Sequence, residues 1–319
     1  MYRKYIPRDD DYLMRLKDVI AGEYKLGIIK IKPAKRGYYG ETWKLVTRDK
    51  CYFAKLDYFN RHQDIFKNSL PVVDYLCSNG IGFINNVLKT QNGKHSTTFG
   101  QAILGIFEWV DGENMETDDT KTPEYQMLCD VYKLTKQGFD IPVMEFTDAS
   151  AIQFYRKWEL IKSSPQNKTC DIVLSILQQH SQKLNQCYSR LSHISQLCKR
   201  ETPDFYFTHG DAGGNFLVKN NRFYIVDWDE VMYAPIERDA WVMSCHAWAV
   251  ELFNDTLAKK KIPYILRPER LAFFCYHMFF HYLNEFIEDF ILHDQTHEIE
   301  EYFSSSWIWE RVEFADRAK

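Results

Sequence analysis

The stretch that most restricts the fold is "FYFTHGDAGGNFLVKNNRFYIVDWDE", residues 205–230. It reads as strand, glycine-rich loop, strand, two-residue turn and returning strand. "NFLVK" and "RFYIVD" flank "NN", and Asn tolerates the positive φ that a two-residue hairpin turn demands. Such a hairpin puts Asn215 at the start of one strand and Asp227 at the end of its partner. Asp211, Asn215 and Asp227 then converge on one patch. Carboxylates this close must be held apart, neutralised or bridged by a cation. Two carboxylates and an amide oxygen suit Mg²⁺, a hard cation that takes few protein ligands and fills its shell with phosphates and water. Phosphoryl transfer needs a cluster of this kind, with a further carboxylate to orient the attacking hydroxyl.

The surroundings of the hairpin change along the chain. Residues 10–22 predict a helix with Leu13, Leu16, Val19 and Ile20 on one face. Strand signals follow in "LGIIKIKPA", "TWKLVT", "CYFAKLDYF" and "AILGIFEWV", with a helix ending near Gly80 between the last two. Beyond residue 120 the pattern turns helical. Thr122 is the expected N-cap, Pro123 the first helical residue and Gly138 the stop signal of one helix. From 168 to 199 there is neither Gly nor Pro, and Ile176, His180, Leu184, Cys187, Leu191, Ile194 and Cys198 mark one stripe of a single long helix. The expected class is α+β: a small strand-rich N-terminal lobe and a larger helical C-terminal lobe, with the hairpin set among helices.

Composition removes several function classes. Of the 319 residues 45% are apolar and 16% aromatic, so the chain can build a sizeable core. A formal charge of −4 without a basic run argues against nucleic-acid binding. No signal-peptide core and no membrane-length apolar run is visible, so the expectation is a cytoplasmic protein without a membrane partner. The eight cysteines are scattered without CxxC pairs and read as reduced, mostly buried thiols.

"HGD" followed by Asn, with "IVDW" downstream, resembles the motif of aminoglycoside phosphotransferases and choline kinases, enzymes of the protein-kinase-like fold. The run "YIVDWDEVMYAPIERD" (224–239) is most similar to spectinomycin-type antibiotic phosphotransferases. The resemblance implies a bilobal kinase-like protein: a nucleotide-binding lobe over 1–107, a hinge over 108–112, and a helical lobe over 113–319 that carries the catalytic hairpin and the acceptor site. It implies ATP, or GTP in its place, with Mg²⁺ as cofactors. Asp211 would be the catalytic base and His209 would shape its loop. Asn215 and Asp227 would be the metal ligands, and Arg238 and Asp239 would tie the loop to the next helix. Lys55 would contact the α/β-phosphates, Gly40 and Thr42 of "RGYYGET" would belong to the phosphate loop with Gly37, and Glu108 and Val110 would offer hinge backbone groups to adenine. The acidic partner of Lys55 is open at this point, Asp64 being the nearest candidate. The family's Asp-to-Asn spacing is one residue longer than "DAGGN", where Gly213 and Gly214 offer backbone conformations closed to other residues.

Between Asp227 and the following helix there is no long segment for holding a peptide, so a small-molecule acceptor is expected. The acids Glu285, Glu288, Asp289, Asp294, Glu298, Glu300 and Glu301 beside Trp307 and Trp309 would suit a cationic aminoglycoside or aminocyclitol, or form a solvated helix face. A choline-type or other metabolite alcohol, and a catalytically silent kinase-like scaffold, are the competing readings. Either a monomer or a homodimer fits. His277, His281 and Glu285 share one helix face and form a separate candidate metal set, with core histidines as the alternative.

Overall fold

The computed structural model describes residues 8–34, 40–115, 117–163, 168–201, 203–293 and 296–318. The chain divides into two compact units, one of residues 2–143 and 206–233 and one of residues 144–205 and 234–319. The hairpin thus belongs by its contacts to the same unit as the first strands.

In the first unit, α1 (Asp10–Tyr24) is capped by Asp9, whose side chain accepts from the Tyr12 N–H at 2.8 Å. Its buried stripe is Tyr12, Leu16, Ile20 and Tyr24, with Leu13 and Val19 at the margin. This stripe packs into one core with residues of β2 (Gly40–Val46), β3 (Cys51–Asp57), β4 (Thr97–Phe99) and β5 (Ala102–Glu108), which with β1 (Lys30–Pro33) form an antiparallel sheet ordered β1-β2-β3-β5-β4. Helix α2 (Asn60–Ser78) lies between β3 and β4 in sequence and stops before Gly80, which takes a left-handed φ of 93°. Residues 109–112 run from β5 into β6 (Glu113–Asn114). Helix α3 (Lys121–Tyr132) begins two residues earlier than Thr122–Pro123 suggests, because Thr117 and Thr120 form a reciprocal cap on the 3₁₀ turn Asp118–Thr120. Pro123 still falls in the first turn, where a missing N–H costs no bond. The helix ends at Tyr132, well before Gly138, which holds φ 106° in the following loop.

Strand β7 (Tyr206–Thr208) leads to the loop, and β8 (Phe216–Lys219) pairs in antiparallel register with both β6 and β9 (Arg222–Ile225). The turn residues Asn220 and Asn221 have φ of 48° and 61°, as a two-residue turn requires. β10 (Met232–Ala234) pairs with β7. The pairing of β8 with β6 and the packing of the Trp228–Glu230 turn on α2 join the hairpin to this unit.

The second unit is helical: α4 (Ala149–Ser163), α5 (Lys168–Gln179), α6 (Ser181–Cys198), α7 (Glu237–Ala240), α8 (Ala247–Lys259), α9 (Pro268–His293), α10 (His297–Ser304) and α11 (Ser306–Arg317). α4, α6 and α11 pack on α9. The single helix expected over 168–199 is two, interrupted at His180, although the His180 N–H still donates to Ile176 and its carbonyl still accepts from Leu184. The His180 ring stacks on Phe303 at 4.3 Å, a tertiary contact that local sequence does not encode. No disulfide joins the eight cysteines.

Candidate functional site

Lys55 sits on the central strand β3, 4% exposed, opposite Thr42 of β2 and Gly105 of β5. An ammonium in such a place needs compensating charge. α2 offers none in contact: the residue it turns toward Lys55 is Phe66, whose ring centroid lies 5.7 Å from Nζ. Gly105 makes room for that ring, since a Cβ there would stand 2.9 Å from it. The charge comes from the hairpin. Lys55 Nζ donates to Asp227 Oδ1 at 2.7 Å and also to the Asp229 carboxylate. Asp64 is exposed, and the open question of the lysine's partner is answered by Asp227 and Asp229.

Asp227 holds left-handed backbone angles, φ 67° and ψ 53°, a conformation Asp accepts more readily than most residues. Such a kink costs on the order of 1–3 kcal/mol. It leads into the 3₁₀ turn Trp228–Glu230, where the Trp228 indole N–H donates to Ile225 O at 2.8 Å. Burial raises the Asp227 carboxyl's pKa, but the Lys55 ammonium and the hydrogen bonds from Asp229 and Lys55 together outweigh it and hold the group well below the usual range. Burial, and then the charge of Asp227, push Asp229 up to about 8. Lys55 stays charged because the two carboxylates outweigh its burial. With Asp229 raised and Asp227 lowered, the Lys55 ammonium is matched in charge chiefly by Asp227, and Asp229 completes the contact.

His209 holds the loop before β8. Its Nε2–H donates to Val226 O at 2.9 Å, and its Nδ1 accepts from the Asp211 N–H at 3.2 Å, so one ring ties the loop to the residue before Asp227. Gly210 takes φ 89°. Gly213 and Gly214 do not adopt positive φ, contrary to the expectation for the short loop. Gly214 leaves room for the Asp211 carboxylate: a Cβ there would stand 2.7 Å from Asp211 Oδ1, so the carboxylate would have to move. The Asn215 amide donates to Asp211 O at 2.9 Å and to Asp211 Oδ2 at 3.2 Å, so the shortened loop keeps both side chains together. Val226 N–H donates to Asn215 O at 3.1 Å, locking the two strand ends.

A cavity of ≈ 330 Å³ opens beside this cluster. Lys55, Thr42, Asn215, Asp227 and Asp229 line it together with Phe53, Phe66, Phe107, Trp109 and Leu217. Its size and its mixture of apolar walls with a few polar groups fit a small-molecule site. Glu108 and Val110 line it too. The Glu108 N–H donates to Asn86 O at 2.8 Å, which leaves its carbonyl, while among the described residues none accepts from the Val110 N–H. Gly40 is not in the lining; a Cβ on it would run into the Leu56 carbonyl, so what the structure shows it doing is letting β2 close on β3. Gly37 lies outside the described residues. Asp211 and His209 stand outside the cavity wall, with Asp211 exposed.

The donor chemistry fits a hard divalent cation. Asp227 keeps 37% of its side chain exposed, and Asn215 spends its amide N–H groups on Asp211, leaving Oδ1 as an acceptor. His277, His281 and Glu285 do not form such a set. The His277 ring is wedged against Phe273 and Phe274 and stacked with His281, and burial lowers its pKa to about 3. Among the described residues, Cys245, His246 and Glu310 do come within mutual ligand distance, but Glu310 is already paired with Arg311 at 3.3 Å. Of the acids proposed for a cationic acceptor, Asp289 is buried and Glu288 pairs with Lys157 at 3.0 Å. The Trp307 face carries Arg311 at 4.7 Å. Asp294 lies outside the described residues.

Asp229 of "DWDE" is the site residue that sequence reasoning misses. The signal was there, two carboxylates one residue apart at the end of an apolar strand with an unpaired Lys on another.

A phosphotransferase enzyme family matches residues 30–273. No curated protein matches the sequence. Among solved structures, a spectinomycin phosphotransferase in complex with ADP and spectinomycin superposes with a TM-score of 0.72 at 18% identity, covering 96% of this chain and 98% of that one. An aminoglycoside phosphotransferase from Alicyclobacillus acidocaldarius gives 0.63 at 11% identity, with 99% and 96% covered. A choline kinase from Streptococcus pneumoniae gives 0.61 at 13% identity, with 97% and 99% covered. At these identities the likeness establishes the kinase-like mixed α/β fold. No helix among the described residues is long and apolar enough to cross a membrane.

Proposed function

The chain belongs to the phosphotransferase enzyme family and is a small-molecule phosphotransferase, and from that premise we propose that it transfers the γ-phosphoryl group of ATP to a hydroxyl of an aminoglycoside or aminocyclitol. The observation that carries this reading is the joint placement of Lys55, Asp227 and Asn215 on the wall of one cavity, with Glu108 and Val110 on it as well. The Glu108 carbonyl and Val110 N–H suit the base of the nucleotide, and Lys55 suits its phosphates. Asn215 and Asp227 would hold Mg²⁺, which when bound neutralises the charge of the triphosphate.

In the transfer the acceptor oxygen attacks the γ-phosphorus. The new O–P bond forms as the bond to the β,γ-bridging oxygen breaks, and ADP departs. The hydroxyl proton passes to Asp211, an exposed carboxylate whose position is fixed by His209, Gly214 and Asn215. The acceptor class draws support from the higher superposition with the spectinomycin enzyme than with the choline kinase. An acceptor screen with ATP, read by the mass gain of one phosphoryl group, tests it. Phosphorylation of an aminocyclitol and not of choline is the expected result; choline as the preferred acceptor would overturn the class, and no transfer to any alcohol, with no ATP hydrolysis, would leave a silent scaffold.

A further inference from the structure

Orienting a phosphate-binding lysine demands a carboxylate that stays with it when the nucleotide arrives. A carboxylate recruited by a metal cannot do this alone. In this chain α2, the helix after the lysine's strand, carries only Asp64 and Asp74 as acids. Asp64 is exposed, and Asp74 is taken by Lys89 at 2.9 Å and by His95 at 3.2 Å. What α2 presents to Lys55 is the Phe66 ring.

Asp229 has the properties the task needs. It is 7% exposed, contacts Lys55 Nζ directly, and sits on the 3₁₀ turn that packs against α2. Asp227 is the more open of the two, its side chain 37% exposed against 8% for Asp229, and is the one suited to reach a ligand. The turn is held from both ends: the Trp228 indole is anchored on Ile225 O, and His62 of α2, paired with Asp57, comes within 3.7 Å of Glu230. The lysine and its anchor therefore approach from β3 and from the hairpin, 174 positions apart in sequence.

We infer that Asp229 is the positioning residue for Lys55, holding the ammonium toward the cavity in place of a carboxylate on α2. The inference rests on the nucleotide reading of the cavity. It predicts that Asp229 matters for the phosphates and not for the base. Losing the anchor should weaken ATP roughly 10-fold or more.

The test is calorimetric binding of adenosine and of ATP, each with Mg²⁺ and with chelator, to the wild type, Asp229→Ala and Asp229→Asn. Asp229→Ala should keep adenosine affinity within about 2-fold and lose ATP affinity both with and without Mg²⁺. Asp229→Asn keeps an acceptor oxygen and should fall between. Loss of adenosine in parallel with ATP would show a merely structural role. Loss confined to Mg²⁺ would show that Asp229 serves the metal and not Lys55. Unchanged ATP affinity would show that Asp227 alone suffices. Each of these three outcomes overturns the inference while leaving the proposed function standing. A wild type that binds neither ligand overturns both.

Discussion

Two buried ion clusters in this molecule look alike by composition and differ in what surrounds them. In one, Glu237 of α7 is wholly enclosed and fully answered: Tyr264 donates at 2.6 Å, the Arg267 N–H at 2.8 Å and Arg270 Nε at 3.0 Å. In the other, Lys55 faces two carboxylates, and all three line a cavity. The first is a closed account of donors and acceptors and can only hold structure. The second shares one ammonium between two aspartates and lies on a cavity wall, so a ligand can reach it. Burial of charge is thus no sign of function; its placement on the wall of a cavity is.

The largest expected effect distinguishes the two clusters outright. Asp227→Asn should remove essentially all turnover and weaken Mg²⁺-ATP, with the thermal midpoint little changed. Steady-state rates beside a melting curve measure this, and near-normal activity at saturating Mg²⁺ would break the comparison. Next comes Asp211→Ala. A positioned base contributes ~10²–10⁴-fold, so kcat should drop by that order while ATP affinity stays within a few-fold. If ATP binding falls as far as in Asp227→Asn, the two carboxylates have exchanged roles. Third, Glu237→Ala should act on stability alone, by about 3–5 kcal/mol, because it strands a buried Arg270. Urea unfolding reads this; a loss below about 1 kcal/mol would mean that water reaches that cluster.

How much of this the sequence disclosed depends on the range of the interaction concerned. The hairpin was legible because alternation and the Asn220–Asn221 turn are local, and the structure has those residues at positive φ. The closeness of Asn215 to Asp211 and to the residue before Asp227 was legible for the same reason. The partner of Lys55 was not, since that contact spans 172 positions to Asp227, and proximity along the chain pointed to Asp64 instead. The break at His180 falls where its ring stacks on Phe303, far along the chain, and has no Gly or Pro to mark it. Gly214 was noticed for the wrong reason: its value is the missing Cβ under the Asp211 carboxylate, and not an unusual φ. Trp307 and its neighbouring acids read as a cation site, but Arg311 of the same helix already covers that ring.

The smallest effect sharpens the comparison from a third kind of burial, a titratable ring kept neutral. His277 of α9 lies against Phe273 and Phe274, with the Ser150 hydroxyl of α4 at 3.4 Å from Nδ1. Burial lowers its pKa to about 3, and the charges of His281 and Arg238 push the same way. An unfolded His takes up its proton near pH 6.5. Between about pH 6.5 and 3 the unfolded chain therefore binds a proton that the native chain refuses, so the contribution is fully present above pH 6.5 and is lost as the pH falls. From pH 7.5 to pH 5 the loss is at most about 2 kcal/mol, and less to the extent that water reaches this half-buried ring. His277→Gln cannot charge and keeps a polar group toward Ser150. Its urea midpoint should fall less than the wild type's over the same pH step, because every other titrating group is common to both. Equal falls would mean that the ring protonates in place, and that the site around α9 tolerates a charge as the Lys55 cluster does.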